Sequence, residues 1–531
     1  MKRISFILII LSFSIFRSCA KLNEGPAVNI QSGGSAVIGI LGNIAELFPY
    51  NINDYYGREI SKTLLNPALT CQPDNGSMIP QLASAWSISK DKLHITYIIN
   101  KNFRWSSGRR ISAYDVKDTF YFLKDNSENF LNPFNYSYID SVYVLDSLTV
   151  RFDFNQQVND PLRKTRFAVL NSRQTRDNPS FEDFIKEYEA NFIGLGPYLL
   201  EKKEEKNLVF KANKFFPGPG PYLDKIILKM YADLDSLLTA LRKNKIDVVP
   251  TVPLSIFDGQ REFENYKIKQ SPSKGFEFIG WNLRRRFLKP IQIRKALTFA
   301  VDRPTIVDGV LGDNARVEDR PVLSYSTAEK KELELPYNPS KAEELLADQG
   351  WKQRFNKGYL TKNGKQFHLE IITNEENRVR KELALNIKGY YEALNIKVSL
   401  GFLPWNDLVK RLETGDFDAV IISWQENSPL DELQMYHSRS IESGRNFLAY
   451  SNKRADELIE TALDTEDKNI RSQALDELQK EIRDDLPLTV ICRQKMVHIA
   501  SNKLLNVNMN RHSIFYNAPL WYYQENLKEQ K

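Results

Sequence analysis

The sequence predicts a mixed α/β protein built from several lobes, and two observations support this prediction. The chain has 531 residues, 42% of them hydrophobic and 11% aromatic, which is enough for more than one domain with a full core. Short β-branched runs alternate with helically spaced leucines in two separate regions, the pattern of βαβ units. The formal charge of +6 is spread without blocks, so the sequence carries no signature of nucleic-acid binding.

Residues 1–18 are typical of a secretory signal. Lys2 and Arg3 precede an apolar run, 4–16, that is too short to span a membrane. Cys19 follows directly after a small residue, and this junction resembles the cleavage site of bacterial lipoproteins, whose lipidated cysteine becomes the first mature residue. A diacylglycerol anchor at Cys19 attaches a protein stably to a membrane. The alternative is ordinary cleavage nearby, with Cys19 left as an unpaired thiol.

The other two cysteines are Cys71 and Cys492. An exported protein enters an oxidising compartment, where disulfides persist. The sequence leaves two alternatives open: a disulfide between these residues, or two separate buried thiols that pack as small apolar groups.

The first folded elements are expected soon after the signal. An apolar run at 36–40 predicts the first strand, and the β-branched and aromatic run 94–99 predicts another. Ser112 lies three residues before Asp115, which is the spacing of an N-terminal helix cap. A helix is therefore expected through 116–123.

Two βαβ patterns follow along the chain. The first has strands at 226–230 and 246–249, with a leucine-rich helix between them. The second comprises strands at 369–372, 396–398 and 417–424, helices around 383–387 and 408–412, and two amphipathic helices between 454 and 483. Such units imply parallel strands joined by crossover helices.

Five groups of segments occur in order along the chain. They are 81–89 (QLASAWSIS) with 103–116 (FRWSSGRRISAYDV), 194–198 (GLGPY), 222–226 with 241–247, 293–303 (IRKALTFAVDR) with 306–312 (IVDGVLG), and 337–351 (YNPSKAEELLADQGW). Together they resemble the extracellular solute-binding proteins of the peptide/nickel group, which are the oligopeptide- and dipeptide-binding receptors of ABC importers.

The resemblance implies a two-lobed periplasmic-binding-protein clamp, an α/β fold of type II-like architecture, with an extra inserted domain. The chain is expected to cross between the lobes near 270 and 480, and these two crossings form the hinge. Ligand is enclosed as the lobes close. The implied parts are a signal peptide at 1–18, a lipid-anchored tether at 19–35, a discontinuous lobe I at 36–68, 190–270 and 481–531, an inserted domain at 69–189, and lobe II at 271–480.

The resemblance also implies that the ligand is an extended peptide, held by main-chain hydrogen bonds to strand edges. Trp424 matches a tryptophan that lines the site in many members, although core packing is an alternative role for it. Core packing is an equally good alternative for Trp281. The ligand-binding candidates are Ser423, Trp424, Gln425, Glu426 and Asn427 on the matching strand, Asp431 after it, and Trp281, Asn282 and Tyr55 elsewhere.

Asn427 departs from the family pattern. Peptide receptors usually carry an aspartate at this position, which pairs with the α-ammonium group of the peptide. An amide supplies no countercharge, and a buried unpaired ammonium is costly. Two alternatives follow: Glu426 or Asp431 supplies the charge, or the ligand is not a peptide with a free amine.

The sequence offers no pattern for catalysis or metal binding. Its histidines include no pair at helical spacing, and no Gly-x-Ser-x-Gly, phosphate loop or Gly-x-Gly-x-x-Gly occurs. We therefore expect no catalytic residue, no metal and no cofactor.

These observations predict the substrate-binding subunit of an ABC importer rather than an enzyme. We expect a monomeric periplasmic lipoprotein of the cell envelope that captures oligopeptide-like solutes, with separate permease and ATPase subunits as partners and no nucleic acid. The alternative within the same fold is a receptor for a non-peptide solute such as a sugar, an opine or a metal chelate. An alternative of another class is a chaperone-like envelope protein that clamps unfolded segments.

Overall fold

The computed structural model describes residues 32–524, apart from 53, 73–77, 131–135, 159, 178–179, 255–262, 274, 323–333, 355–356, 425–430, 466 and 510–512. Among the helices described, none is long and apolar enough to cross a membrane.

The strands and helices follow one another along the whole described chain. The strands are β1 (Ser35–Leu41), β2 (Thr70–Cys71), β3 (Ile79–Pro80), β4 (Ala83–Ile88), β5 (His94–Ile99), β6 (Ile139–Asp146), β7 (Thr149–Phe154), β8 (Tyr198–Lys203), β9 (Asn207–Ala212), β10 (Lys225–Tyr231), β11 (Val248–Pro253), β12 (Tyr266–Pro272), β13 (Phe276–Trp281), β14 (Ala315–Val317), β15 (Lys352–Arg354), β16 (Lys357–Lys362), β17 (Lys365–Gln366), β18 (His368–Asn374), β19 (Lys397–Leu403), β20 (Ala419–Trp424), β21 (Leu488–Ser501), β22 (Leu504–Leu505) and β23 (Tyr522–Tyr523). The helices are α1 (Tyr55–Ile60), α2 (Ala113–Asp125), α3 (Pro161–Lys164), α4 (Ser172–Asp177), α5 (Phe181–Ala190), α6 (Leu234–Arg242), α7 (Ile291–Phe299), α8 (Arg303–Leu311), α9 (Pro339–Asp348), α10 (Arg378–Ala393), α11 (Trp405–Thr414), α12 (Lys453–Asp464) and α13 (Lys468–Asp485).

Twelve strands form one large sheet. Its hydrogen-bonded order is β19-β18-β20-β13-β21-β11-β1-β10-β9-β8, with β12 and β14 also paired to β21. β1 runs parallel to β10 and β11, and β18 runs parallel to β19 and β20. The βαβ units expected in both halves of the chain are therefore confirmed.

The long strand β21 belongs to both halves of this sheet. Residues 488–492 pair with β13, and residues 492–494 pair with β14. From Lys495 to Ser501 the same strand pairs with β12, and β11 pairs along its other edge. We call the half with β1 and β8–β12 lobe I, and the half with β13, β14 and β18–β20 lobe II.

Lobe II is covered by helices on both faces of its sheet. In β13, Phe276 and Phe278 pack in a core with α11, α12 and α13, whereas Ile279 and Trp281 pack in a core with α7, α8, α9 and α10. All six residues of β13 are buried. This strand is apolar on both faces because both are covered, and alternate side chains point to opposite faces.

A separate antiparallel sheet, β4-β5-β7-β6, has a core of its own with α2 and α5. We call this body the inserted domain. The expected Ser112 cap of α2 is confirmed, because Asp115 and Ser112 form a capping box. Burial raises the pKa of Asp115, but the hydrogen bonds and positive charge of Arg109, together with hydrogen bonds from Ser172 and Ser112, outweigh it and leave the pKa below its usual value. The domain limits expected from the sequence, including crossings near 270 and 480, stay predictions.

Two buried arginines fix α7 and α8 against the last helix and β21. Arg294 donates to the carbonyls of Leu486 at 2.9 Å and Leu288 at 2.6 Å, and burial lowers its pKa to about 10. Arg303 donates to the carbonyl of Val490 in β21 at 2.7 Å. The carbonyl oxygens accept hydrogen bonds from these guanidinium groups, and this offsets the energetic cost of burying them.

Cys71 and Cys492 are both free. Cys492 is completely buried in β21, and Cys71 is partly buried in β2. Burial raises the pKa of both thiols, so they stay protonated at neutral pH. The structure therefore contradicts the disulfide alternative and supports separate thiols.

Gly196 is required by a close backbone contact, which gives a testable prediction. A Cβ atom at this position lies 2.1 Å from the carbonyl oxygen of Leu64. Gly196→Ala therefore displaces the backbone, and we expect it to lower the free energy of unfolding by about 1–3 kcal/mol in urea denaturation.

Gly309→Ala is the matched control, because a Cβ atom there meets nothing within 4 Å. Alanine is the better helix former in α8, so this variant is expected to be as stable as the wild type or more stable. Equal stability of the two variants contradicts the close contact at Gly196.

Candidate functional site

The strand predicted to contact ligand is β20, which pairs with β13 in antiparallel register. Ser423 lies opposite Glu277, and Trp424 lies opposite Phe276. Both positions are therefore at the end of β20 that adjoins the start of β13. Gln425, Glu426 and Asn427 lie outside the described residues, and so does the side chain of Asp431.

Trp424 is partly buried and packs against the core formed with α11, α12 and α13. Its indole Nε1–H is buried and meets no hydrogen-bond acceptor in the part of the chain that the structure describes. A buried donor without an acceptor is unfavourable, so this end of β20 presents an unsatisfied polar group.

Ser423 belongs to a buried polar cluster around Arg380, the third residue of α10. Arg380 donates to the Ser423 hydroxyl at 2.6 Å, to the Asn374 amide oxygen at 2.9 Å, and to the Glu277 carboxylate at 2.9 Å. The Arg380 and Glu277 side chains are only 10% and 5% exposed. Each guanidinium arm therefore has an acceptor, which is the condition for burying such a charge.

The cluster extends to the strand shared by the two lobes. Gln494 of β21 donates to the other oxygen of Glu277 at 3.1 Å. Cys492, opposite Glu277 in the register of β13 and β21, is neutral because burial, and then the nearby carboxylate, raises its pKa. The cluster thus joins β13, β18, β20, β21 and α10 at one point.

Sequence reasoning missed Glu277, Asn374, Arg380 and Gln494. One signal was available: Glu277 is the sole charged residue in the otherwise apolar strand FEFIGW. A buried carboxylate needs a cationic or hydrogen-bonding partner. The partner Arg380 lies 103 residues away, so the sequence does not identify it.

Trp281 and Asn282 lie at the other end of β13 and are fully buried. Trp281 packs among the residues of α7, α8, α9 and α10. Asn282 donates to the carbonyls of Gly415 at 2.9 Å and Phe417 at 2.7 Å. In this structure neither side chain has surface that a ligand can touch.

Tyr55 lies in lobe I, at the start of α1. The helix is capped by Asp54, whose carboxylate accepts a hydrogen bond from Gly57 at 2.6 Å. Tyr55 stacks edge-on against Tyr56, whose hydroxyl donates to the Thr251 carbonyl in β11 at 3.0 Å. Tyr55 packs against the core of lobe I, whereas Ser423 and Trp424 lie in lobe II.

A serine contacts a histidine near the part of β21 that joins the two lobes. Ser271 Oγ lies 2.7 Å from His498 Nε2, and His498 Nδ1 lies 2.5 Å from the carbonyl oxygen of Pro250. Since a carbonyl only accepts, Nδ1 carries a proton and donates it to the Pro250 carbonyl. The contact joins β12, β21 and β11. No group of three His, Cys, Asp or Glu that could hold a metal is found in the described part of the chain.

A family comparison identifies the class of protein. The sequence profile of the bacterial extracellular solute-binding proteins, family 5 Middle, matches residues 77–444. The chain belongs to family 5 of the bacterial extracellular solute-binding proteins. The resemblance found in the sequence is therefore confirmed.

Curated relatives of this family 5 protein are binding proteins. Oligopeptide-binding protein AppA of Bacillus subtilis is 27% identical over 491 residues, which cover 89% of this chain and 88% of the relative. The dipeptide-binding protein of Escherichia coli is 22% identical over 444 residues, covering 78% and 80% of the two chains.

Solved structures confirm the expected clamp for this family 5 protein. The structure of Bacillus subtilis AppA in complex with a nonapeptide has a TM-score of 0.79 at 25% identity, and covers 93% of this chain and 100% of that chain. NikZ of Campylobacter jejuni, in complex with Ni(L-His), has a TM-score of 0.78 at 24% identity and covers 92% and 99%.

The buried Glu277–Arg380 pair yields a second prediction. Glu277→Ala leaves the Arg380 guanidinium buried without its countercharge, and we expect the free energy of unfolding in urea to fall by about 3–5 kcal/mol. The matched control is Glu382→Ala, which removes the partner of Arg378, a side chain that is 87% exposed on the same helix. An exposed pair of this kind contributes little to stability, so equal losses in the two variants contradict the buried cluster.

Proposed function

We propose that this protein is the substrate-binding subunit of an ABC importer, which captures oligopeptides between its lobes and delivers them to a separate permease and ATPase. The relation to the oligopeptide-binding protein AppA carries the proposal, because it extends over 89% of this chain and 88% of the relative. Family membership supports action outside the cytoplasm, which we assign to the periplasm, and binding rather than catalysis.

The local chemistry of β20 fits a peptide ligand. A peptide main chain carries donors and acceptors that pair with a strand edge, whatever its side chains are. Trp424 is only partly buried at the end of this strand, so its ring has surface that can pack against a peptide. We assign ligand contact to Ser423, Trp424, Gln425, Glu426, Asn427, Asp431 and, from lobe I, Tyr55. Trp281 and Asn282 are buried at the other end of β13, so we assign them a structural role.

Native mass spectrometry of the protein, purified without denaturation from a peptide-rich host, tests the proposal. Extra mass that is released as a series of peptides is the expected result. A single non-peptide mass contradicts it, and so does a protein whose melting temperature no peptide mixture raises.

A second candidate, a non-peptide solute, is favoured by Asn427. If neither Glu426 nor Asp431 supplies a negative charge, the ligand has no free ammonium to pair. A sugar, an opine or a metal chelate then replaces the peptide, and the mass spectrum shows one defined compound. Affinity for denatured proteins, with no small ligand at all, supports the chaperone-like alternative instead.

Trp424→Ala tests the ligand strand. We expect it to weaken binding of a peptide mixture by about 1–4 kcal/mol, the range of a buried aromatic anchor, while the melting temperature stays near the wild-type value. The matched control is Trp405→Ala, which removes a tryptophan that is 47% exposed. Unchanged affinity with a large loss of stability assigns Trp424 to the core.

We propose that Cys19 carries a lipid anchor. Cys19→Ser is expected to move the protein from the membrane fraction to the soluble fraction, because two acyl chains provide the stable attachment. Cys71→Ser is the control and stays in the membrane fraction. A Cys19→Ser protein that remains with the membrane contradicts the anchor.

A further inference from the structure

The inserted domain touches lobe II through two ion pairs. Lys164 Nζ, at the end of α3, lies 3.0 Å from Asp464 Oδ1, at the end of α12. Asp160 Oδ2, just before α3, lies 3.7 Å from Arg471 Nη2 on α13. Each body contributes one cation and one anion, so the two pairs together fix one relative position of the surfaces.

Most of the partners are already held within their own body. Asp160 caps α3 by accepting from the Arg163 backbone N–H at 3.1 Å. The Lys164 ammonium lies 4.0 Å from the centre of the Tyr138 ring, and Arg471 donates to the Ala462 carbonyl at 3.1 Å. These side chains therefore lose little further conformational freedom when the ion pairs form. Loss of that freedom is the usual cost of forming an ion pair.

The pairs are also shielded from water to different extents. Asp160 is 8% exposed, Arg471 11% and Lys164 15%, while Asp464 is 38% exposed. Partly buried charges such as these attract each other more strongly than fully exposed charges do. They are also readily hydrated when the surfaces part, so the contact can separate at modest cost.

The contact between the inserted domain and lobe I contains one ion pair, Lys203–Glu189 at 2.8 Å, but it also contains neutral hydrogen bonds among buried residues. The Tyr50 hydroxyl donates to the Ala168 carbonyl at 2.9 Å, and the buried Asn66 amide donates to the Tyr188 hydroxyl at 2.9 Å. These partners are neutral and lie among apolar residues. The inserted domain is therefore expected to move with lobe I, and its charged contact with lobe II is the one that opens.

Charge complementarity continues beside the two pairs. A groove next to them is lined by Lys92 of the inserted domain and, from lobe II, by Glu457, Glu460 and Asp464. One lysine of the inserted domain thus faces an acidic edge of lobe II, which favours approach of the two surfaces.

We propose that the pairs Lys164–Asp464 and Asp160–Arg471 form a latch that holds the inserted domain against lobe II when the clamp is closed. The latch stabilises the closed state of the clamp, in addition to the stabilisation that the enclosed solute provides. It follows from the two-lobed fold and does not depend on the ligand being a peptide.

Charge reversal tests the latch by small-angle X-ray scattering, with and without a mixture of synthetic tri- to nonapeptides. Lys164→Asp and Asp464→Lys each place like charges together. We therefore expect each variant to lower the ratio of closed to open molecules about fivefold or more, and so to increase the radius of gyration. The double variant, with the pair reversed, is expected to return to the wild-type radius.

Lys341→Glu is the matched control, because Lys341 pairs with Glu344 within one helix and not across bodies. Melting curves check that every variant is folded. Single variants with the wild-type radius in both conditions overturn the latch, and so does a double variant that stays expanded. If peptides fail to bind any variant, the proposed ligand is wrong, but the comparison of radii still decides the latch.

Discussion

The architecture depends on one constraint: β21 is a single strand shared by both lobes. Its first residues pair with β13 and its last residues with β11 and β12. Buried backbone groups must stay hydrogen-bonded, so the two half-sheets cannot slide along this strand. We therefore expect the lobes to move relative to each other about the short stretch where β21 changes partners, near Gln494 and Lys495, and about the connection from β12 to β13. The buried Arg303 and the Glu277–Arg380 cluster hold the lobe II half of β21 in place.

Polar contacts in the molecule fall into two physical classes. Inside lobe II, Arg294, Arg303 and Arg380 are buried and each meets several acceptors. Breaking one such contact leaves an unpaired charge in an apolar surrounding, so these contacts are permanent. Between the inserted domain and lobe II, Lys164 and Asp464 meet at a more accessible surface where water replaces a lost partner. A clamp needs both classes, because its lobes must be rigid while the contact between them must be reversible.

Local patterns in the sequence were sufficient for several of the elements. β5 coincides with the predicted run 94–99, and the Ser112 cap starts α2, because alternation and capping depend only on neighbouring residues. The environment of Trp281 and the partners of Glu277 were beyond prediction, since they depend on strand register and on residues such as Gln494, 217 positions away. Whether Cys71 and Cys492 pair likewise depends on the tertiary fold, because the two residues are far apart in the sequence. Gly196 was recognised only as part of a motif, and its contact with Leu64 supplies the reason.

Amide hydrogen exchange with and without a bound peptide mixture tests most directly whether the lobes enclose a peptide by its main chain. The account predicts slower exchange in two segments: the end of β20 with the residues that follow it, 423–427, and the crossing part of β21, 493–496. Protection there follows from new main-chain hydrogen bonds and from closure over the strand crossing. Peptide binding that slows exchange only in other parts of the chain, and leaves both segments at their ligand-free rates, contradicts the account.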